Sequence, residues 1–66
     1  MKFTIEINCD NAAFCDEDTG EPNPGPEVAR MLAVLAYRLP PDLESGDNGG
    51  VYDVNGNKVG EWSMEE

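Results

Sequence analysis

Polar and apolar residues alternate strictly near the start of the chain. In "KFTIEIN", Phe3, Ile5 and Ile7 fall on one side and Lys2, Thr4, Glu6 and Asn8 on the other. This period of two predicts a half-buried strand over about residues 2–8. The period changes in "PEVARMLAVLAYRL", where Val28, Met31, Leu32, Leu35 and Leu39 recur at helical spacing and form one apolar stripe. The spacing predicts a helix over about residues 26–39. Pro26 suits its first position, Glu27 sits at the positive end of its dipole, and Pro40-Pro41 stops it. The opposite face carries Arg30, Val34, Tyr37 and Arg38. Alternation returns in "GVYDVNGNKVGEW", which predicts a hairpin over about residues 50–62. Asn55-Gly56 is the preferred pair for a two-residue type I′ turn. That turn would set Asp53 opposite Lys58 and Tyr52 opposite Val59, as a ladder of charged and apolar pairs requires. Val51 and Trp62 come into register only with a bulge at Gly60. The tail "SMEE" is expected to fray.

The connecting segments are polar. Asp10 and Asn11 favour a turn, and Phe14 behind them is a candidate anchor. Residues 15–25 form an acidic loop, where Pro22, Pro24, Gly20 and Gly25, with Pro26 behind them, argue against regular structure. The order strand, loop, helix, hairpin in 66 residues predicts one α+β domain. Its economical form is β-α-β-β, a three-stranded antiparallel sheet in order 1-3-2 with the helix on one face. The other face, with Lys2, Thr4, Glu6 and Asn8, would be open to solvent.

Charge changes this picture most. Fourteen Asp and Glu face four Lys and Arg, with no His, for a net charge of −10. Such a balance argues against direct contact with nucleic acid or an anionic membrane, which needs Lys and Arg, and makes a basic partner the natural complement. No apolar run reaches membrane-spanning length, and "MKFTIEINCD" lacks the apolar core of a signal peptide. Cys9 and Cys15 are too few for a disulfide framework. Two reduced thiols in a cytoplasmic protein is the favoured reading, with a bridge closing the short loop as the alternative.

Neither metal binding nor catalysis is well supported. Asp53, Asn55 and Asn57 have the 1-3-5 spacing of a calcium loop. Lys58 stands where that loop needs Gly, and Met64 where it needs a bidentate Glu. No base accompanies either thiol, and an acidic neighbourhood raises thiol pKa values. "GDNGG" has no Lys to make it a phosphate cradle. The expectation is no enzyme, no metal and no cofactor.

The acidic surface remains. One reading is a solvated surface, as in salt-adapted proteins. The sharper one is a polyanion mimic that occupies the basic groove of a nucleic-acid-binding protein. "MKFTIEINCDNAAF", "EVARMLAVLAYRL" and "GGVYDVNGNKVGEW" together resemble a group of small acidic proteins encoded by bacteriophages and prophages. In size and charge the chain is also similar to phage anti-defence proteins, including anti-CRISPR proteins and other DNA mimics. The resemblance implies a monomeric inhibitor in the cytoplasm of a bacterial host. It would bind a basic nucleic-acid-binding protein or complex such as a CRISPR effector. The candidate partner-binding residues are Glu6, Asp16, Glu17, Asp18, Glu21, Asp53 and Glu61. The alternative is an accessory domain that binds a protein through Val34, Tyr37 and Arg38 on the outer helix face.

Overall fold

The computed structural model describes residues 1–66. Strand β1 (Lys2–Ile7) is followed by a single 3-10 turn (Ala12–Phe14), helix α1 (Pro24–Arg38), and strands β2 (Asn48–Tyr52) and β3 (Lys58–Glu65). The sheet order is β1-β3-β2, and both pairings are antiparallel. This is the small α+β fold that the hydrophobic periods predict.

The element boundaries differ from expectation for identifiable reasons. The helix begins two residues early, with Pro24 rather than Pro26 at its first position. Both prolines are tolerated there because the first turn's N–H groups have no partner inside the helix. Arg38 ends it, and the Leu39 N–H still reaches the Leu35 carbonyl at 3.0 Å before Pro40. Strand β3 runs through Ser63, Met64 and Glu65, so that tail is held rather than frayed. Ser63 pairs with Thr4 and Glu65 with Lys2.

The hairpin departs further. Tyr52 pairs with Lys58, not Val59, and Val51 pairs with Gly60. The bulge thus falls between Val51 and Tyr52, with Val59 as the extra residue on β3, instead of at Gly60. Asn55 does not take the positive φ that a type I′ turn requires; Gly56 alone does, at 84°. The connection is a five-residue loop, in which the Asp53 N–H reaches the Asn57 carbonyl and the Gly56 N–H reaches the Asp53 carbonyl. Gly60 serves a different purpose. A Cβ there would clash with the Glu6 carbonyl oxygen, so the absence of a side chain lets β1 dock on β3.

Phe14, Met31, Leu35, Val51 and Trp62 form the buried core. Each contributes about 1.5–3 kcal/mol by leaving water. Phe14 is the most enclosed, at 1% exposure. The helix packs against the 3-10 turn and β2 rather than across the whole sheet. The apolar side of β1 is consequently only half covered: Phe3 is 39% and Ile5 36% exposed, where both were expected in the core. Phe3 is sheltered by stacking on Trp62, with ring centroids 5.8 Å apart. Leu32, expected in the buried stripe, is 45% exposed for the same reason. On the far face Lys2, Glu6 and Asn8 are exposed, as the alternation predicts.

Candidate functional site

The predicted acidic residues separate into two kinds. Asp53, expected on the binding surface beside Lys58, is instead 4% exposed and turned inward. Its Oδ1 accepts the backbone N–H groups of Asn55 and Asn57, both at 2.9 Å. Its Oδ2 accepts the side-chain amides of Asn11 at 2.8 Å and Asn57 at 3.2 Å. Burial pushes its carboxyl pKa up, but these donors outweigh that and hold it below the usual value. Asn11 caps the 3-10 turn through its Oδ1 on the Ala13 N–H, so Asp53 ties the hairpin loop to the turn that delivers Phe14. Asp53 is therefore not part of the exposed acidic surface. The same bonds show that "DVNGN" closes on itself as a turn.

Glu27 is a second inward carboxylate, one that the sequence reading assigned only to the helix dipole. It forms a two-pronged pair with Arg30, both bonds 2.9 Å, and accepts the Val54 N–H at 2.8 Å. The Arg30 bond lowers its pKa against the opposing effect of burial. Arg30 also donates to the Tyr52 carbonyl at 3.3 Å. It was expected on the outer helix face; it instead clamps the helix to the hairpin.

The acidic loop is more ordered than its prolines imply. Cys15 and Pro22 form an isolated bridge, the Asp16 N–H donates to the Glu21 carbonyl, and the Gly20 N–H returns to the Asp16 carbonyl. Asp16 Oδ1 accepts the Asp18 and Thr19 N–H groups, so that carboxylate shapes the loop. Glu17, Asp18 and Glu21 are exposed, and no hydrogen bond or ion pair engages their carboxylates. The loop thus presents three free carboxylates on a closed frame.

The outer face of the sheet presents a second group. Glu6 and Glu61 lie directly opposite each other across β1 and β3. Their Cβ atoms are thus about 5 Å apart, an arrangement that costs stability when both are charged. Glu61 pairs with Lys58 at 2.8 Å, which lowers the Glu61 pKa and raises that of Lys58. Lys58, expected to face Asp53, is therefore occupied elsewhere. Glu65 joins this face opposite Lys2. The sequence reading missed it, although "EWSME" continues the alternation of Glu61, Ser63 and Glu65 against Trp62 and Met64. Thr4 and Ser63 share a hydroxyl hydrogen bond of 2.9 Å between these charged pairs.

The alternative helix-face residues Val34, Tyr37 and Arg38 are all exposed on α1. Val34 and Arg38 line a groove between α1 and β2, which Tyr37 does not line. Tyr37 projects into solvent at 96% exposure. Cys9 and Cys15 are free thiols, and no three Cys, Asp or Glu side chains converge as metal ligands. No helix is long and apolar enough to cross a membrane. Comparison with protein-family models, with curated proteins and with solved structures finds no match to this chain.

Proposed function

We propose that this chain is an acidic, phage-type anti-defence inhibitor that covers a basic nucleic-acid-binding surface on a protein partner of the bacterial cytoplasm. A CRISPR effector complex has a surface of the required chemistry. The observation that carries this reading is the density of net negative charge. Ten net negative charges lie on a body 42 Å long, one per about 4 Å of its long axis. A DNA strand carries one charge per about 3.4 Å of helix axis. Two of the fourteen carboxylates, Glu27 and Asp53, are buried in structural roles. The carriers of the reading are Glu17, Asp18 and Glu21 on the loop and Glu6, Glu61 and Glu65 on the sheet. Their role is electrostatic, as steering and as replacement for phosphates. No covalent chemistry is involved.

The direct test is capture of partners from a bacterial lysate at low and high salt, followed by competition with duplex DNA. The expected result is a basic partner released by salt and by DNA. A charge-reversed variant at Glu6, Glu17, Asp18 and Glu61 should bind at least tenfold more weakly. If that variant binds and inhibits like the parent chain, charge mimicry is wrong.

A further inference from the structure

The groove between α1 and β2 carries a feature that an acidic mimic does not use. Its volume is about 330 Å³, and Met31, Val34 and Leu35 give it an apolar floor. Strand β2 is an edge strand, since β3 pairs with it on one side only. The Met64 N–H donates to the Asp47 carbonyl at 2.9 Å, which fixes the phase of the ladder. Asp47, Gly49 and Val51 therefore turn their backbone groups to β3, and Asn48, Gly50 and Tyr52 turn theirs outward. The Arg30 guanidinium reaching the Tyr52 carbonyl from outside agrees with this phase. The Gly50 N–H and carbonyl thus face the groove as an open pairing site. No Lys or Pro lies in this strand; its guards are the bulge after Val51 and Arg30 over the Tyr52 carbonyl, both at the strand's end beyond Gly50.

Charge then selects the occupant. Two of the chain's four cations, Arg30 and Arg38, line this groove, with one carboxylate, Asp53, whose oxygens are already taken by the donors of its own loop and Asn11. Arg30 is committed to Glu27, whereas Arg38 makes no ion pair and no side-chain hydrogen bond. A free cation over an unpaired strand edge complements an extended segment with a carboxylate. The spacing also fits. Val34 and Arg38 are one helical turn apart, about 6 Å along the axis. Alternate residues of a strand are about 6.6 Å apart.

We propose that this groove binds an extended peptide of a partner protein by strand addition to β2. In that peptide a residue two positions from a carboxylate is apolar; the apolar side chain sits over Met31 and Val34, and the carboxylate pairs with Arg38. Backbone bonds to Gly50 supply affinity, and the alternate side chains supply specificity. The groove shares no residue with the acidic loop, and of the outer-face carboxylates only Glu61, opposite Gly50, adjoins it.

The test is selection of a random heptapeptide library on the full chain, followed by titration of the selected peptide with both ends blocked. Enrichment of a carboxylate two positions from an apolar residue is expected, with amide shifts centred on Gly50. Arg38→Glu should weaken binding at least tenfold, and a Lys in place of the peptide carboxylate should restore it. Arg38 is exposed, so this variant should keep the parent's circular dichroism spectrum; Arg38→Ala serves as the milder check. Methylating alternate peptide nitrogens should abolish binding. The proposal is overturned if no peptide is enriched, or if selected peptides bind Arg38→Glu equally well. Insensitivity to backbone methylation, as a helical or unstructured ligand would show, also overturns it. Glu17→Gln/Asp18→Asn should leave peptide affinity unchanged while weakening capture of the basic partner, which separates this site from the mimic surface.

Discussion

Asp53 and Asp18 are the same residue type, 35 positions apart, with opposite fates. Asp53 is buried and receives four hydrogen bonds from its own loop and from Asn11. Asp18 is exposed, and its carboxylate accepts none. Glu27 and Glu17 repeat the contrast. One set of carboxylates builds the molecule, and the other is left for something outside it. Net charge alone hides this division, because an inward carboxylate and an outward one count equally towards −10.

The comparison can be broken most severely at Asp53. Asp53→Ala leaves the backbone donors of the hairpin loop and the Asn11 amide without an acceptor. It should lower Tm by about 10 °C or more, read by thermal circular dichroism. Asp18→Ala should leave Tm within about 2 °C.

Acid titration should come next in size. Asp53 and Glu27 both have folded pKa values below the ordinary range. Such groups bind fewer protons folded than unfolded, so their stabilisation is complete above the unfolded value of about 4. It is lost as pH falls through the folded values. The acid limb should therefore steepen below about pH 4. Asp53→Asn should show a lower but flatter acid limb. An unchanged slope would show that Asp53 is not held in its charged form.

Glu27→Gln keeps an acceptor for the Val54 N–H but removes the ion pair to Arg30. The expected loss is roughly 5 °C in Tm. Smaller again, and of opposite sign, is Glu6→Gln/Glu61→Gln. It relieves a like-charge pair across the sheet and should raise Tm by about 1–2 °C at low salt. The gain should shrink at 0.5 M NaCl, because screening already weakens that repulsion. A loss of stability would mean that the Glu61–Lys58 pair outweighs the repulsion. Least of all should Glu17→Gln/Asp18→Asn alter stability; its expected effect is on partner capture.

The architecture was legible because its periods are clean. Phe3, Ile5 and Ile7 mark a strand, and Met31, Leu35 and the prolines after Leu39 mark a helix and its end. The sheet order followed from chain economy. Coverage was not legible: the strand pattern shows which side of β1 is apolar, but not whether α1 reaches it. The hairpin failed on turn chemistry. Asn55-Gly56 matches the two-residue turn, but Asp53 and Asn57 offer a competing set of side-chain bonds that favours five residues. Within the site, Glu6, Glu17, Asp18 and Glu21 were placed outward correctly. Asp53 and Glu27 could not be sorted from them, because a carboxylate's direction depends on donors distant in sequence, such as Asn11 and Val54. Arg38 was singled out on the outer helix face, but the groove it lines was not legible, because it exists only once α1 lies along β2.

Gly60 has a consequence for the order in which this molecule assembles. Strand β1 docks on β3 through the gap that Gly60 leaves, and Lys2 pairs with Glu65 across nearly the whole chain. Strand β1 has no sheet partner until β3 is in place. The helix and hairpin can form through nearer contacts, but sheet closure requires a long loop entropy loss first. The rate of folding should therefore depend on the β1–β3 encounter. A side chain at residue 60 would slow or block that late step while leaving the helix and the hairpin loop able to form.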